Sequence, residues 1–248
     1  MKALVVTLVL VLASACGSGG AGAKQDVTIR VFAASSLTEA FTELGHRFEA
    51  AHPGTKVQLN FGPSSGLAQQ IGNGAPADVF ASASGTTMDS VVKSGHAETP
   101  KDFARNSMEI AVPPDNPGRV NGLSSLADRN VKVALCQPQV PCGQVAAQVF
   151  AHAGITVRPV TEEVDVKSVL TKVSLGEVDA GVVYVSDVMA AGDKVAGVEI
   201  PAAQNASTTY PIAGLKHSEH AQTAAAFVDL VLSAEGAGVL SRAGFQKP

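Results

Sequence analysis

No excess of basic residues is present in this 248-residue chain: 18 Lys and Arg stand against 22 Asp and Glu, for a formal net charge of −4. A nucleic-acid partner would demand a basic face, so that class is excluded. Charged residues make up only 16% of the chain and apolar ones 46%, which leaves enough apolar surface for one large core or two moderate ones. No internal repeat is visible, and low complexity is confined to a short glycine-rich stretch near the N-terminus. The only long apolar run is the N-terminal one, and it falls short of the roughly 18 residues of a spanning helix. Cysteine is scarce, with three residues, Cys16, Cys136 and Cys142. None of the six histidines sits in a motif that would activate a nucleophile.

What is present begins with "MKALVVTLVLVLASAC", one lysine followed by an apolar run and small residues before Cys16. This is an export signal over residues 1–15. Its ending, "LASAC", resembles a bacterial lipoprotein cleavage box, with Leu12 four residues before the cysteine. That resemblance implies a lipidated Cys16 holding the protein on the outer face of the cell membrane; cleavage by the ordinary signal peptidase is the alternative. "GSGGAGA" then reads as a flexible tether within residues 16–26. Outside the membrane thiols tend to be oxidised, so Cys136 and Cys142 in "ALCQPQVPCGQ" are expected to form a short-loop disulfide, with a nucleophilic cysteine as the rival reading.

Beyond the tether, strand patterns alternate with helix patterns. "DVTIRVFAA" reads as a strand, and Leu37 to Ala51 as a helix with Leu37, Ala40, Phe41, Leu44 and Phe48 on one side. "KVQLNF" is a strand, Leu67 to Gly72 a helix, "DVFAS" a strand and "TTMDSVVKSG" a helix. "NSMEIAVPPDNPG" is a strand that plausibly crosses into a second unit, where "NVKVALC", "QVAAQVFAHAG", "VKSVLTKVSLG" and "DAGVVYVS" continue the alternation. "TTYPIAGLK" is the return crossing, and two closing helices follow. The expectation is an α/β fold of two lobes, 27–107 with 208–248 and 108–207, each a mainly parallel sheet flanked by helices.

Two serine pairs stand where a strand gives way to a helix: Ser35-Ser36 in "VFAASSLTEAF" and Ser64-Ser65 in "NFGPSSGLAQQI". One reading makes each an N-cap, satisfying the free N–H groups of its helix. The other makes both helix starts part of a ligand site, because open α/β sheets bind ligands beyond the carboxyl ends of their strands and helix starts favour anions. Two further starts, at "PCGQVAA" and "VDVKSVL", offer no cation aimed unambiguously at that crevice, although Lys167 is close in sequence. The pattern suits an oxyanion held by neutral donors. A serine hydrolase would need a positioned histidine, and the GxSxG pattern is absent near both pairs. Asp78 in "APADVF" reads as structural, since a carboxylate facing an anion would repel it. His217 and His220 are spaced as a metal pair might be but read better as a solvated face, and no metal is expected.

Taken together, "VFAASSLTEAF", "NFGPSSGLAQQI", "GAPADVFASAS", "VPCGQVA" and "GVVYVSD" resemble the molybdate-binding proteins of bacterial ABC transporters over nearly the whole chain from Val27. The resemblance implies a type II periplasmic-binding-protein fold, with molybdate, or tungstate, enclosed between two lobes, no catalysis and no resident cofactor. It implies an ABC permease with its ATPase as partner, a monomer, and an extracytoplasmic location. Sulfate is the nearest rival ligand. The family's ligands fall on the hydroxyls of Ser36, Ser64 and Tyr184 and on the backbone N–H groups of Cys142 and Val166, with Ser35 and Ser65 as secondary candidates. Cys142 stands where the family usually has alanine, and Pro63 where it often has a small polar residue.

Overall fold

The computed structural model of the protein describes residues 27–248. The export signal, the tether and the lipidation residue Cys16 lie outside the described residues.

The chain starts with strand β1 (Val27–Ala34), a 3-10 turn over Ser35–Leu37 and helix α1 (Thr38–Ala51). Leu37, Ala40, Phe41, Leu44 and Phe48 are all buried, as the helical spacing of apolar residues requires. Phe41 and Phe48 meet Phe227 of helix α7 (Ala221–Leu232) at centroid distances of 6.0 and 5.5 Å. Each such ring, removed from water, contributes about 1.5–3 kcal/mol. Gly54, at φ +89°, supplies the left-handed turn into β2 (Thr55–Gly62).

Helix α2 (Ser64–Gly72) begins three residues before the expected Leu67. Pro63 at its N-cap has the extended conformation from which a helix can start, and Leu67 N–H donates to Pro63 O at 3.0 Å. The polar Ser-Ser-Gly first turn had masked that start, because it adds nothing to the apolar periodicity. After it come β3 (Val79–Ala81), α3 (Gly85–Lys93), β4 (Lys101–Val112), a 3-10 turn (Leu123–Ala127), β5 (Val133–Cys136) and α4 (Pro141–Ala153). The chain continues with β6 (Thr161–Glu163), α5 (Val166–Ser174), β7 (Ala180–Tyr184), α6 (Val185–Ala191), β8 (Ala196–Val198), β9 (Ser207–Gly214), α7 and α8 (Ala234–Arg242).

The strands follow the order β2-β1-β3-β9-β4-β7-β5-β6, with β8 also paired to β4. The expected parallel pairing holds at both ends, β2-β1-β3 and β7-β5-β6. The centre departs from it, since β9 runs antiparallel to β3 and β4, and β4 antiparallel to β7 and β8. The reason is topological: β4 leaves the first half and β9 returns to it, and an outward and a return pass that lie side by side must oppose each other. Residues Lys101–Ser107 of β4 pair with β9, and Met108–Ala111 with β7, so one strand serves both halves.

Buried apolar side chains divide in the same way. One cluster is drawn from residues 108–200, and two others from 29–104 and 210–245. Asp78 lies at the entry to β3, where its carboxylate accepts from Arg30 N–H at 2.6 Å and from the Ser218 hydroxyl. It is a structural residue bound to its own half.

Candidate ligand-binding cleft

Four chain segments meet where the halves face each other: the Ser35–Leu37 turn ahead of α1, and the starts of α2, α4 and α5. With the end of β7 they enclose a small cleft, lined among others by Ser35, Ser36, Ser64, Cys142, Val166 and Tyr184. The free space in it is about 10 Å3, where sites for drug-sized molecules run to about 300–1,000 Å3, so only a small species suits it. All six of these residues are buried.

The capping reading of the serines does not survive. The residue at the N-cap of α1 is Leu37, that of α2 is Pro63 and that of α4 is Val140, and none makes a side-chain cap bond. Ser36 Oγ instead lies 2.9 Å from the Tyr210 hydroxyl, and Ser64 Oγ accepts from Ala83 N–H at 3.0 Å. By contrast α3 and α8, which start elsewhere, are capped by Ser84 and Ser233. Asp165 caps α5 by accepting from Ser168 N–H at 2.8 Å, leaving the N–H of Val166 two residues earlier. Among the described residues no acceptor reaches the backbone N–H of Ser64, Cys142 or Val166. Buried helix starts without partners are costly, and each carries the positive end of its helix dipole.

Tyr184 closes the site. Its hydroxyl is buried and finds no hydrogen-bond partner among the described residues. Burial raises its pKa well above the ordinary phenol value, assisted by neighbouring Tyr210 and Asp187, so it remains a proton donor.

The charges around the cleft are spoken for. Asp165 is occupied as a helix cap. Lys167, the residue after Val166, holds both carboxylate oxygens of Glu39 at 2.8 and 2.9 Å and lies 3.2 Å from Asp187 Oδ1. Burial would lower the pKa of Lys167, but the Asp187 and Glu39 carboxylates outweigh it and the net shift is upward. Asp187 is fully buried, and Oδ2 accepts from Tyr184 N–H at 3.2 Å. The ion pair to Lys167 is at contact distance without hydrogen-bond alignment at Oδ1. Among the described residues no free cation therefore lines the cleft, and donors from hydroxyls and helix ends are what remains.

Cys136 and Cys142 are joined by a disulfide, S–S 2.03 Å, beneath the first turn of α4. Gly143 follows, where a Cβ would come within 2.1 Å of Gln137 O; this close approach draws the turn tight. Ser65 is not in the cleft and faces a groove between α2 and α3. No group of three or more potential metal ligands occurs among the described residues. A larger open groove of about 540 Å3 lies beside β4 and the 199–207 segment, but it carries the carboxylates of Glu109 and Glu199 and would repel an anion.

Sequence reasoning missed Tyr210, Asn106 and Asp187. Asp187 was findable, because an acid three residues after the last residue of a strand is a helix-start pattern. Tyr210 reaches Ser36 across 174 positions, and no local signal reports that.

The residues meeting in this cleft make a candidate site for a small solute, and comparison with known proteins gives the class of protein. A family model described as bacterial extracellular solute-binding protein matches residues 29–246. The chain belongs to that family, whose members bind solutes outside the cytoplasm rather than act as enzymes. It is 43% identical over 241 residues to the molybdate-binding protein ModA of Mycobacterium tuberculosis, covering 94% of this chain and 92% of the relative. With ModA of Escherichia coli the identity is 31%, over 88% of each chain. The solved structure of the Azotobacter vinelandii periplasmic molybdate-binding protein superposes with a TM-score of 0.79 at 22% identity, covering 89% of this chain and 99% of that one, and shares the fold.

Proposed function

We propose that this protein captures molybdate, and tungstate with the same tetrahedral shape and charge, and delivers it to an ABC permease driven by its ATPase. The hydroxyls of Ser36, Ser64 and Tyr184 and the N–H groups of Cys142 and Val166 are the proposed donors, with the N–H of Ser35 in support. The observation that carries this reading is the buried, unpartnered Tyr184 hydroxyl in a cleft ringed by uncapped helix starts. A dianion satisfies all of these groups at once, and the molybdate named in the relatives' titles is such an ion.

Hydrogen bonds to a charged group are worth about 1.5–3 kcal/mol each. Five of them total about 8–15 kcal/mol before the costs of dehydration and immobilisation, which leaves room for a micromolar site of about −8 kcal/mol. No cofactor is needed for this. The lobes proposed are 27–107 with 208–248 and 108–207, hinged where β4 and β9 cross, in a monomer anchored outside the membrane through lipidated Cys16. Calorimetric titration of the purified protein with molybdate, tungstate, sulfate and phosphate tests the ligand. One-to-one binding of the first two with silence from the others is expected; a preference for sulfate would keep the architecture and overturn the ligand.

A further inference from the structure

Tyr210 stands on β9, one of the two strands that cross between the halves, and it is completely buried. Its hydroxyl is 2.9 Å from Ser36 Oγ, and by geometry alone either oxygen can be the donor. The chemistry of a bound oxyanion removes that ambiguity. A serine has one proton and two lone pairs, and an oxyanion oxygen can only accept. When the Ser36 proton turns to the anion, the contact with Tyr210 persists only if the phenol donates.

The surroundings of Tyr210 favour that direction. Asn106 Oδ1 accepts from Ser107 N–H at 3.1 Å, which fixes the orientation of the amide, and its Nδ2 donates to Ser186 Oγ at 2.8 Å. The same amide is a neighbour of the Tyr210 oxygen. An amide nitrogen offers protons and takes none, so this neighbour does not compete with Ser36 for the proton of the phenol. Burial holds the phenol protonated throughout the accessible pH range.

We propose that Tyr210 is a positioning residue for the anion: its hydroxyl donates to Ser36 Oγ and turns the serine proton into the cleft. The proposal rests on the reading of Ser36 as an anion ligand. A serine that accepts one hydrogen bond while donating another is polarised into a better donor. The chain Tyr210 to Ser36 to anion thus runs from the crossing strand β9 into the site, and the phenol contributes to binding without touching the ligand.

A purely structural role competes with this one, since the Tyr210 ring meets Phe245, Tyr184 and Phe103 edge-on at 5.3, 6.1 and 6.2 Å. Tyr210→Phe keeps the ring and removes only the hydroxyl. Molybdate affinity is measured by calorimetry for the wild type, Tyr210→Phe, Ser36→Ala and the double variant, alongside their thermal unfolding. About a 10-fold loss is expected for Tyr210→Phe in the wild-type background. In the Ser36→Ala background the same change is expected to do nothing, because there is no serine proton left to direct.

Equal losses in both backgrounds, or affinity within twofold of wild type for Tyr210→Phe, overturn the proposal. Absence of molybdate binding by the folded wild type overturns the reading of the site, and this inference with it. Should Tyr210→Phe fail to fold, site-specific 3-fluorotyrosine at position 210 retains ring and hydroxyl and makes the phenol a stronger donor. Tighter molybdate binding then supports donation to Ser36, and weaker or unchanged binding rules it out.

Discussion

Lys167 Nζ sits 2.8 and 2.9 Å from the two carboxylate oxygens of Glu39, joining the start of α5 to the first turn of α1 across the cleft. Its other partner, Asp187, belongs to the same half as Lys167, so the bond to Glu39 is the one that opening must break. Glu39 is half exposed, which limits the pair to about 0.2–1 kcal/mol. Glu39→Gln is expected to speed anion dissociation up to about 5-fold with little change in association, and the effect should shrink as salt is added. Stopped-flow rates at two ionic strengths check this; an unchanged dissociation rate would remove the pair as a closing contact.

Tyr184→Phe should separate stability from binding. The hydroxyl is buried without a partner, so its removal relieves an unsatisfied group and is expected to leave the ligand-free protein as stable or more stable by about 1 kcal/mol. Molybdate affinity should fall about 10- to 100-fold, for one bond to a charged group is lost. Urea unfolding without ligand and calorimetry with it read the two effects; a destabilised apo protein would show that the hydroxyl is paired.

Asp187 predicts a pH slope. Burial pushes its carboxyl up to about 6, against the attraction of Lys167 for the ionised form. In the unfolded chain the value is about 3.9. Between these values the folded state binds more protons than the unfolded state, so the contribution of Asp187 to stability is fully present below about pH 4 and is lost as pH rises through about 6. Asp187→Asn should gain stability relative to wild type across that window, on the order of 1–3 kcal/mol. Denaturation curves at pH 4, 5, 6 and 7 measure the slope, which already contains the Lys167 attraction because that acts on the ionised carboxylate.

Replacing Cys136 and Cys142 together by serine should cost about 2 kcal/mol of stability, the loop entropy of a bridge with a sequence separation of 6. Because Cys142 offers its N–H to the cleft and Gly143 is pressed against Gln137 O, the loosened turn should also weaken anion binding by a few fold. Unfolding and titration of the serine pair variant give both numbers, and unchanged affinity would show that Gly143 alone holds the turn.

Legibility of the fold followed the range of the forces involved. The apolar stripe of α1 was visible because Leu37, Phe41, Leu44 and Phe48 repeat at helical spacing, and all four are buried. The three-residue strands β6 and β8 were not visible, since Thr161–Glu163 and Ala196–Val198 are too short to alternate and are half-exposed. Ser36, Ser64, Cys142, Val166 and Tyr184 could be singled out because strand-to-helix junctions carry local marks, and the structure brings them around one cleft. Ser65 carries the same marks and points elsewhere, because successive residues on a helix face different directions.

By itself, then, the sequence determined the alternation of strands and helices, the junctions at which a ligand could be met and the neutral character of the donors there, all properties of neighbouring residues. Tertiary structure alone decided that the central strands oppose one another, that the serine pairs at 35–36 and 64–65 cap no helix, and that Lys167 is spent on Glu39 and Asp187. It alone brought Tyr210 to Ser36. Those outcomes depend on which distant groups are excluded from water together, and a buried polar group takes whatever partner the fold brings within about 3 Å.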